Sequence, residues 1–508
     1  MVREERFARV ALLVPGVVLV ALMAEAWPVT VDDAFISLRH ARNWVDGGAL
    51  SFDAAERIEA YSSFAAVVLA SAVLRAGGDP VLAAKALGAA CALGSLALTF
   101  LLARRVGAGP GWALLGAGIL SVSTGMGFWA VSGLETALFA LLLTGGVWLL
   151  LDERWASNPL TGALLLLAAL TRVEGPVLVA AAIAAHFVVR LREGQRAREI
   201  AREHAWLGVL AAGYGAYFLW RWHYYGHLFP SPIYFKRISA AGDVFNSHTA
   251  AFVRSSLPLL LLASAAPWIA GRRTWIPVAV VAAALASFAS AREQVLEDVS
   301  TMAWFDRYFV PVLPCLIAAA MAALHAAARH LGASAPRRTG LALAGGLLLV
   351  WQLANPTSNP ICLLGRSRGY PKAVAARNIP SAEYLQQRFG APGRVVAGDI
   401  GLLSYAFRGT VWDLYGLASY DRTLRHRGAL EPYLRELLAR EPDAIQLCFS
   451  LASDPPRPCQ HAERVLAAQP DFRAHYAPAA EFGRAEFPSA YHVIFVRQPP
   501  HGAGEEAP

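Results

Sequence analysis

The sequence predicts a polytopic α-helical membrane protein that ends in a soluble α/β domain. Hydrophobic residues make up 56% of the 508 positions, charged residues make up 16%, and the mean hydropathy is +0.41. A soluble domain of this size could not bury so much apolar surface. Apolar stretches of membrane-spanning length recur up to about residue 355, and a polar, proline-rich segment follows. We therefore predict a membrane domain over 1–355 and a soluble domain over 356–508.

Most of the apolar stretches are predicted to cross the membrane singly, because each approaches the roughly 20 residues that a hydrocarbon core requires. They are 7–27, 81–103, 111–131, 134–151, 206–222, 252–270, 275–291, 307–326 and 339–354. The first lacks a small-residue cleavage site, so we expect it to remain as a helix. A further block, 160–189, is interrupted at 171–176 by Thr-Arg-Val-Glu-Gly-Pro. Its two pieces look too short to cross, and they predict a broken hairpin entering from the cytoplasm. The total is about 11 membrane helices.

Short basic clusters between these stretches predict the orientation, because Lys and Arg are retained in cytoplasmic loops. With a hairpin that makes no net crossing, all the clusters fall on one side. They are Arg3/Arg6/Arg9, Arg104/Arg105, Arg154, Arg190/Arg192/Arg196/Arg198/Arg202, Arg272/Arg273 and Arg329/Arg337/Arg338. The formal charge of +8 therefore indicates topology and not nucleic-acid binding. We predict a bacterial inner-membrane protein whose loop 28–80 and C-terminal domain face the periplasm.

The outer segments carry their own predicted elements. In the first outer loop, 28–80, two interfacial helices are predicted at 33–45 and 61–76. Alternation of apolar and polar residues in the tail predicts both strands and helices. The strands are 395–399, 410–414, 444–448 and 492–496, and the helices are 381–389 and 426–440.

Three acids at predicted outer helix ends are candidate catalytic residues. Asp32 and Asp33 follow the first span, and Glu135 begins a later one. Carboxylates there could act as a general base with an orienting partner, or could hold a divalent cation, which is the only cofactor that the sequence suggests. The alternative is that each acid caps the N-terminus of a helix.

Several basic and aromatic residues are candidates for binding a phosphate. Arg172 in the broken hairpin could bind an anion, or could pair with Glu174. The loop 222–237 could be an aromatic membrane belt, or a platform for a lipid phosphate and a sugar ring with Lys236 or Arg237 on the phosphate. Arg307 could be a second phosphate ligand or the partner of Asp306.

The cysteines do not predict a metal site, since none of the five has a zinc-like C-x-x-C spacing. Cys448 and Cys459 lie in the predicted outer domain, where an oxidising compartment permits a disulfide. Cys362 is a competing partner.

Several motifs together resemble the GT-C glycosyltransferases. In the first loop these are Asp32-Asp33-Ala34-Phe35-Ile36-Ser37 with Arg39, Ala41 and Asn43, then Gly47-Gly48, then Glu56-Arg57-Ile58-Glu59-Ala60-Tyr61-Ser62-Ser63-Phe64. Similar segments follow at 132–136, 171–175, 225–230, 307–311, 398–401 and 413–417. Within the superfamily the chain is most similar to the mycobacterial terminal arabinofuranosyltransferases and their bacterial relatives. It departs from that pattern at Ala55, Ala60, Ala65 and Ala66.

The resemblance implies transfer of a sugar from a polyprenyl-phosphate donor to a glycan, lipid or protein acceptor at the outer face. A pentofuranose such as arabinofuranose is the sugar that this group implies. Asp32 would be the catalytic carboxylate, with Asp33 beside it and Glu135 as a second-loop acid. Candidate substrate-binding residues are Arg39, Glu59, Tyr61, Glu174, His223 and Tyr225.

Two other functions remain open at the level of sequence. A secondary transporter also uses charged residues and broken helices, but it usually has paired halves, and the acids here cluster in outer loops. A non-catalytic envelope scaffold could present the tail to a partner.

Overall fold

The computed structural model describes residues 7–8, 10–53, 56–235, 247–289, 304–331, 335–354 and 360–499. Lys236 and Arg237, two predicted phosphate ligands, lie outside these residues, as does Ala55.

The helices up to residue 354 are Leu13–Ala26, Asp32–Gly47, Phe64–Arg75, Pro80–Arg105, Pro110–Ser121, Thr124–Ala130, Thr136–Leu150, Pro159–Thr171, Gly175–Arg192, Ala197–Glu203, Trp206–Tyr225, Ser231–Phe235, Ser247–Ser255, Leu257–Ile269, Trp275–Ala289, Leu313–Leu331 and Ala335–Ala354.

Fewer described helices satisfy the length and hydropathy of a membrane span than the sequence predicted. Three are long and apolar enough: Pro80–Arg105, Gly175–Arg192 and Val310–His330. Two bent pairs would raise the number to five, and the total of about 11 is not confirmed. The predicted spans 111–131 and 252–270 are these bent pairs, with bends of 60° and 75°. The first bends because the Ser123 side chain accepts from the backbone N–H of Met126 and starts a new helix.

The predicted break of the hairpin is present, at residues 172–174 between Pro159–Thr171 and Gly175–Arg192. The expectation that both halves are too short is wrong for the second half, which has 18 residues and is apolar enough to span. Gly175 is required at the break, because a Cβ there would collide with the carbonyl oxygen of Ala168. The two helices can therefore approach each other closely at the break.

The outside of the helical part is strongly apolar. Large exposed hydrophobic side chains include Val14, Val17, Val209, Leu219, Leu261, Trp268, Leu343, Leu347 and Val350. A water-soluble monomer rarely exposes apolar surface on this scale. These helices are therefore suited to contact with lipid.

The described tail contains helices and a mixed sheet. The helices are Pro360–Ala373, Ile379–Phe389, Ile400–Ala406, Leu430–Ala439, His461–Ala468 and Pro470–His475. The strands are β1 (Arg394–Ala397), β2 (Thr410–Asp413), β3 (Ala444–Ser450), β4 (Arg457–Pro458), β5 (Tyr476–Phe482) and β6 (Tyr491–Arg497). Strand order is β2-β1-β3-β6-β5, with β4 paired to β3. β1 runs parallel to β2 and β3, and β6 runs antiparallel to β3 and β5. The α/β prediction is confirmed, but β4 and β5 were not predicted.

The tail is packed directly on the first loop, residues 28–80. Ile36, Phe52 and Ile58 of the loop share one hydrophobic core with Leu385 and Val395 of the tail. Arg39 adds polar contacts, because its guanidinium donates to the carbonyl oxygens of Phe52, Ser404, Phe407 and Gly409. The first loop and the tail therefore fold as one unit, whereas the sequence suggested a separate soluble domain. The domain boundary at 355/356 stays a prediction.

Cys448 and Cys459 are expected to form a disulfide when the tail faces an oxidising compartment. Their sulfur atoms are 2.9 Å apart, and the N–H of Cys459 donates to the carbonyl of Cys448 at 2.8 Å. Cys362 is exposed on the helix Pro360–Ala373. Mass spectrometry of non-reduced protein should find a peptide linking 448 to 459. Three alkylated thiols under the same conditions would refute the pairing.

Candidate active site

Asp32 joins the first outer loop to the tail. Its Oδ2 accepts from the N–H of Gly401 and its Oδ1 from that of Leu402, both at 2.8 Å. Its own N–H donates to the Tyr370 hydroxyl at 2.9 Å. The alternative that Asp32 caps its own helix is wrong, because Val31 is the N-cap residue and that cap has no side-chain hydrogen bond. Burial, followed by the negative charge of Asp399, raises the pKa of Asp32 to about 7. Asp32 can therefore exchange a proton near neutral pH.

Asp33 is paired with Arg307. The Asp33 Oδ2 lies 2.6 Å from Nη1 of Arg307, whose side chain is only 8% exposed. The guanidinium also lies over the Trp129 ring, 5.0 Å from its centroid. Arg307 was predicted in the first turn of a span, but the helix Leu313–Leu331 begins only after it, and Asp33 is an ion-pair partner of Arg307. A buried cation therefore lies beside the Asp32–Asp33 pair.

Glu135, Arg172 and Glu174 form a buried ionic triad at the break of the hairpin. Nη1 of Arg172 is 3.0 Å from Oε1 of Glu135, and its Nε is 2.5 Å from Oε1 of Glu174. All three side chains are less than 10% exposed. Glu135 occupies the N-cap position of its helix, yet its side chain makes no cap bond. With two carboxylates already on Arg172, the triad carries a net negative charge, which makes Arg172 a poor ligand for a phosphate.

The triad lies next to the Asp pair because the chain segments that carry them are in contact. The N–H of Val31 donates to the carbonyl of Ser132 at 3.1 Å. Gly133 adopts φ +90°, and a Cβ there would touch the Ala34 Cβ. Arg307 also interacts electrostatically with Arg172. The structure therefore brings the predicted acids Asp32, Asp33 and Glu135 into one region.

A second site lies between the first loop and the helix Trp206–Tyr225. Oε2 of Glu59 is 2.6 Å from Nη1 of Arg221, and both side chains are buried. A cavity of about 100 Å³ opens beside them, and its lining includes Glu59, Tyr61, Arg172, Tyr214, Tyr217, Phe218 and Arg221. Burial raises the pKa of Glu59 to about 7, although Arg221 opposes this effect. The cavity joins two charged groups to an aromatic wall, a combination that suits the polar and apolar faces of a sugar ring.

The other predicted substrate residues are placed differently. Tyr225 is buried, and its hydroxyl donates to the carbonyl of Leu50 at 2.6 Å. The observed hydrogen bonds of Arg39 all go to backbone carbonyls. These contacts hold the first loop and do not support substrate binding by either residue. His223 is exposed.

Three residues near Asp32 were not among the predicted site residues. Tyr370 contacts its backbone, and Asp399 lies two residues before Gly401. The guanidinium of Arg366, one turn before Tyr370, lies over the Trp304 ring at 3.7 Å from its centroid. No carboxylate pairs with Arg366 among the described residues. The motif Gly398-Asp399-x-Gly401 was the one sequence signal that could have indicated Asp399.

The predicted acids do not form a metal site within the described residues. No group of three or more His, Cys, Asp or Glu side chains there is arranged to hold an ion. The physical reason is that Asp32 faces backbone N–H groups while Asp33 and Glu135 face arginines.

The chain resembles two solved membrane proteins over nearly its whole length. ArnT from Cupriavidus metallidurans, solved bound to undecaprenyl phosphate, is 13% identical, with a TM-score of 0.54 over 94% of this chain and 96% of ArnT. The archaeal oligosaccharyltransferase AglB from Archaeoglobus fulgidus, in complex with an inhibitory peptide and a dolichol-phosphate, is 11% identical, with a TM-score of 0.54 over 97% and 88%. Both are glycosyltransferases of the GT-C superfamily. This chain has the GT-C fold. At such identities the likeness concerns the fold alone, and the resemblance to arabinofuranosyltransferases stays a prediction.

The tail matches a family of its own. Residues 372–497 match a domain of unknown function, DUF8728. No curated protein matches the chain. The family match therefore does not indicate a function for the tail. The tail nevertheless supplies the N–H groups of Gly401 and Leu402 that hold Asp32.

Proposed function

We propose that the protein is an integral-membrane glycosyltransferase that uses a polyprenyl-phosphate-linked sugar as donor. The observation that carries this proposal is the position of Asp32 in a GT-C fold. It is a carboxylate of the first outer loop, held by backbone N–H groups and adjacent to the Asp33–Arg307 pair. ArnT and AglB, which have the same fold, were solved with polyprenyl phosphates bound.

The proposed reaction needs a base and a cation. The acceptor hydroxyl forms a bond to C1 of the sugar, the bond from C1 to the phosphate oxygen breaks, and the hydroxyl proton passes to Asp32. The departing polyprenyl phosphate carries the negative charge that develops, and a nearby guanidinium would stabilise it.

Arg307 and Arg366 are the described cations best placed for that phosphate. Arg307 is paired with Asp33, the residue next to Asp32, and Arg366 lies over the Trp304 ring. Arg172 is less suited because two carboxylates surround it. Lys236 and Arg237 remain candidates outside the described residues.

The finer features of the substrate come from sequence resemblance. It favours a pentofuranose such as arabinofuranose as the sugar, and a glycan, lipid or protein of the cell envelope as the acceptor. The cavity beside Glu59 and Arg221 is the candidate site for a carbohydrate ring. A scaffold would not need a proton-exchanging carboxylate, and a transporter would be expected to carry one between its membrane helices rather than at the junction of the first loop and the tail.

Purified protein in detergent should release polyprenyl phosphate from a labelled polyprenyl-phosphate sugar when an acceptor extract is added. Pentofuranosyl and hexosyl donors should be compared in parallel, with heat-denatured protein as the blank. Release at the blank rate with every donor would contradict the proposal. Lipid-linked sugars that accumulate in a deletion strain would identify the donor independently.

The first outer loop and the tail are expected to lie on the periplasmic side, and residues 190–204 in the cytoplasm. In intact cells, an impermeant thiol reagent should label Arg57→Cys and leave Arg196→Cys unlabelled, with Cys362 replaced by serine in both. Both positions are exposed on the protein surface, so burial does not explain a difference. Labelling at 196 in unbroken cells would overturn this orientation.

A further inference from the structure

The helix Ile400–Ala406 is capped by a carboxylate that does not belong to its own N-cap residue. Asp399 is the N-cap residue, a position where Asp usually accepts a hydrogen bond from the first turn. Its side chain makes no such bond. Asp32, from the other end of the chain, accepts the N–H groups of Gly401 and Leu402 instead. The side chain of Asp399 is therefore directed to other groups.

The Asp399 carboxylate contacts two side chains and is also accessible to solvent. Its Oδ2 lies 3.5 Å from Nε2 of His492 and 3.4 Å from Nδ2 of Asn378. His492 is fully buried, and its Nδ1 is 2.6 Å from Nε2 of Gln446 and 3.2 Å from Oγ of Ser381. The Asp399 side chain is 47% accessible to solvent. A fixed imidazole thus orients a carboxylate that a ligand can reach.

Asp32 and Asp399 meet at one helical turn, because Asp32 accepts the N–H groups of Gly401 and Leu402 and Asp399 is the N-cap residue of the same helix. The Tyr370 hydroxyl interacts electrostatically with Asp32, Asp399 and Asp33. Two carboxylates placed together repel each other, which costs stability. Sites that require a proton acceptor beside an ionised group commonly contain such pairs.

We propose that Asp399 is a second carboxylate of the active site, supplied by the tail, and that it binds a carbohydrate hydroxyl beside Asp32. This inference rests on the proposed glycosyl transfer. Asp399 accepts a hydrogen bond and takes no proton, while the acceptor proton passes to Asp32 as the new C–O bond forms and the C1–phosphate bond breaks. The tail, whose family has no known function, would thereby complete the catalytic site.

The charges around the pair support different roles for the two acids. The surrounding protein alone would raise the pKa of Asp399, but the hydrogen bond with His492 and the charge of Arg377 hold the pKa below its ordinary value. Asp32 faces Asp33 on its own helix, Asp399 from the tail, and Tyr370. Asp399 therefore stays ionised at the pH where Asp32 titrates.

The test compares Asp399→Asn with Asp413→Asn. Asp413 ends β2 beside β1, which precedes Asp399, and its carboxylate accepts from the N–H groups of Tyr415 and Ala418 at 2.8 Å. Asp413→Asn is therefore the matched control: the same substitution, at the end of the neighbouring strand, of a carboxylate that holds a turn. Asp399→Asn should lower kcat/KM about 10- to 100-fold, the loss expected for one hydrogen bond to a charged group.

A second readout separates a site role from a folding role. Without the negative charge of Asp399, the pKa of Asp32 should fall, so the acidic limb of the pH–rate profile should move to lower pH. The same shift should appear in the infrared carbonyl band of protonated Asp32, identified by its loss in Asp32→Asn. Asp413→Asn should lower thermal stability and leave both curves unmoved.

Each outcome decides a different claim. Transfer within threefold of wild type in Asp399→Asn, or an Asp32 titration that does not move, would overturn the role of Asp399. If wild-type protein turns over no polyprenyl-phosphate sugar, the proposed function fails. The infrared titration would still decide whether Asp399 and Asp32 share a site, because it needs no substrate.

Discussion

Asp32→Asn is expected to lower sugar transfer by about 10²- to 10⁴-fold, the usual cost of removing a general base. An amide cannot accept the acceptor proton. The substitution also has a structural cost, because the amide keeps one acceptor oxygen but directs its NH₂ group toward an N–H of Gly401 or Leu402. The unmatched hydrogen bond would cost about 1–3 kcal/mol. Donor turnover and thermal unfolding should therefore be measured on the same preparation.

Arg42→Met is the control for the loss of stability expected in Asp32→Asn. Arg42 donates from the first loop to the carbonyls of Ser404 and Tyr405, so this variant loosens the same contact with the tail while leaving every nearby acid in place. Its unfolding temperature should fall as in Asp32→Asn, and its turnover should fall far less. Equal loss of turnover in both variants would assign Asp32 a docking role and make Asp33 or Glu135 the next candidate base.

The wild-type pH profile should reflect the same carboxylate. Asp32 must be ionised to accept a proton, and its pKa is raised to about 7 by burial and by Asp399. The rate should therefore rise as pH increases through this region and level off above it. Asp32→Asn should remove that dependence from its residual activity.

Much of the fold could be predicted because hydropathy and alternation are local properties of the sequence. The interruption at Arg172–Glu174 identified the hairpin, and four tail strands follow from apolar alternation. The helix bends were not predicted. The hydrogen bond from the Met126 N–H to the Ser123 side chain starts a new helix without changing the mean hydropathy of the segment. β5 was not predicted, because it is an edge strand that contains Pro478 and has a register shift between Pro478 and Ala480. Both features interrupt the alternation by which a strand is predicted.

The site was predicted in its residue types more than in its contacts. Asp32 and Glu135 were identified from their positions at helix ends. Their partners could not be inferred, because Asp32 meets Gly401 at a separation of 369 residues and Asp33 meets Arg307 at 274. Asp399 was missed for a related reason. An aspartate between a strand and a helix looks like an ordinary N-cap until Asp32 is seen in that role.

Arg172→Met is expected to destabilise the protein by about 3–5 kcal/mol, because it leaves buried carboxylates without their counter-charge. Arg172 serves both Glu135 and Glu174, and all three side chains are buried. Arg273→Met is a matched control at an exposed pair, where Arg273 and Glu153 are 47% and 74% exposed. That change should cost at most about 1 kcal/mol. Thermal unfolding in one detergent compares the two.

The cause of that loss can be tested by removing the charges that Arg172 neutralises. Adding Glu135→Gln and Glu174→Gln to Arg172→Met replaces two buried carboxylates with amides, which are far less costly to bury. The triple variant should therefore recover part of the lost unfolding temperature. If Arg172→Met unfolds like Arg273→Met, or if the triple variant is less stable than Arg172→Met, the triad does not hold the hairpin break by charge pairing. Recovery of stability without recovery of transfer would show that at least one of Arg172, Glu135 and Glu174 also serves the reaction.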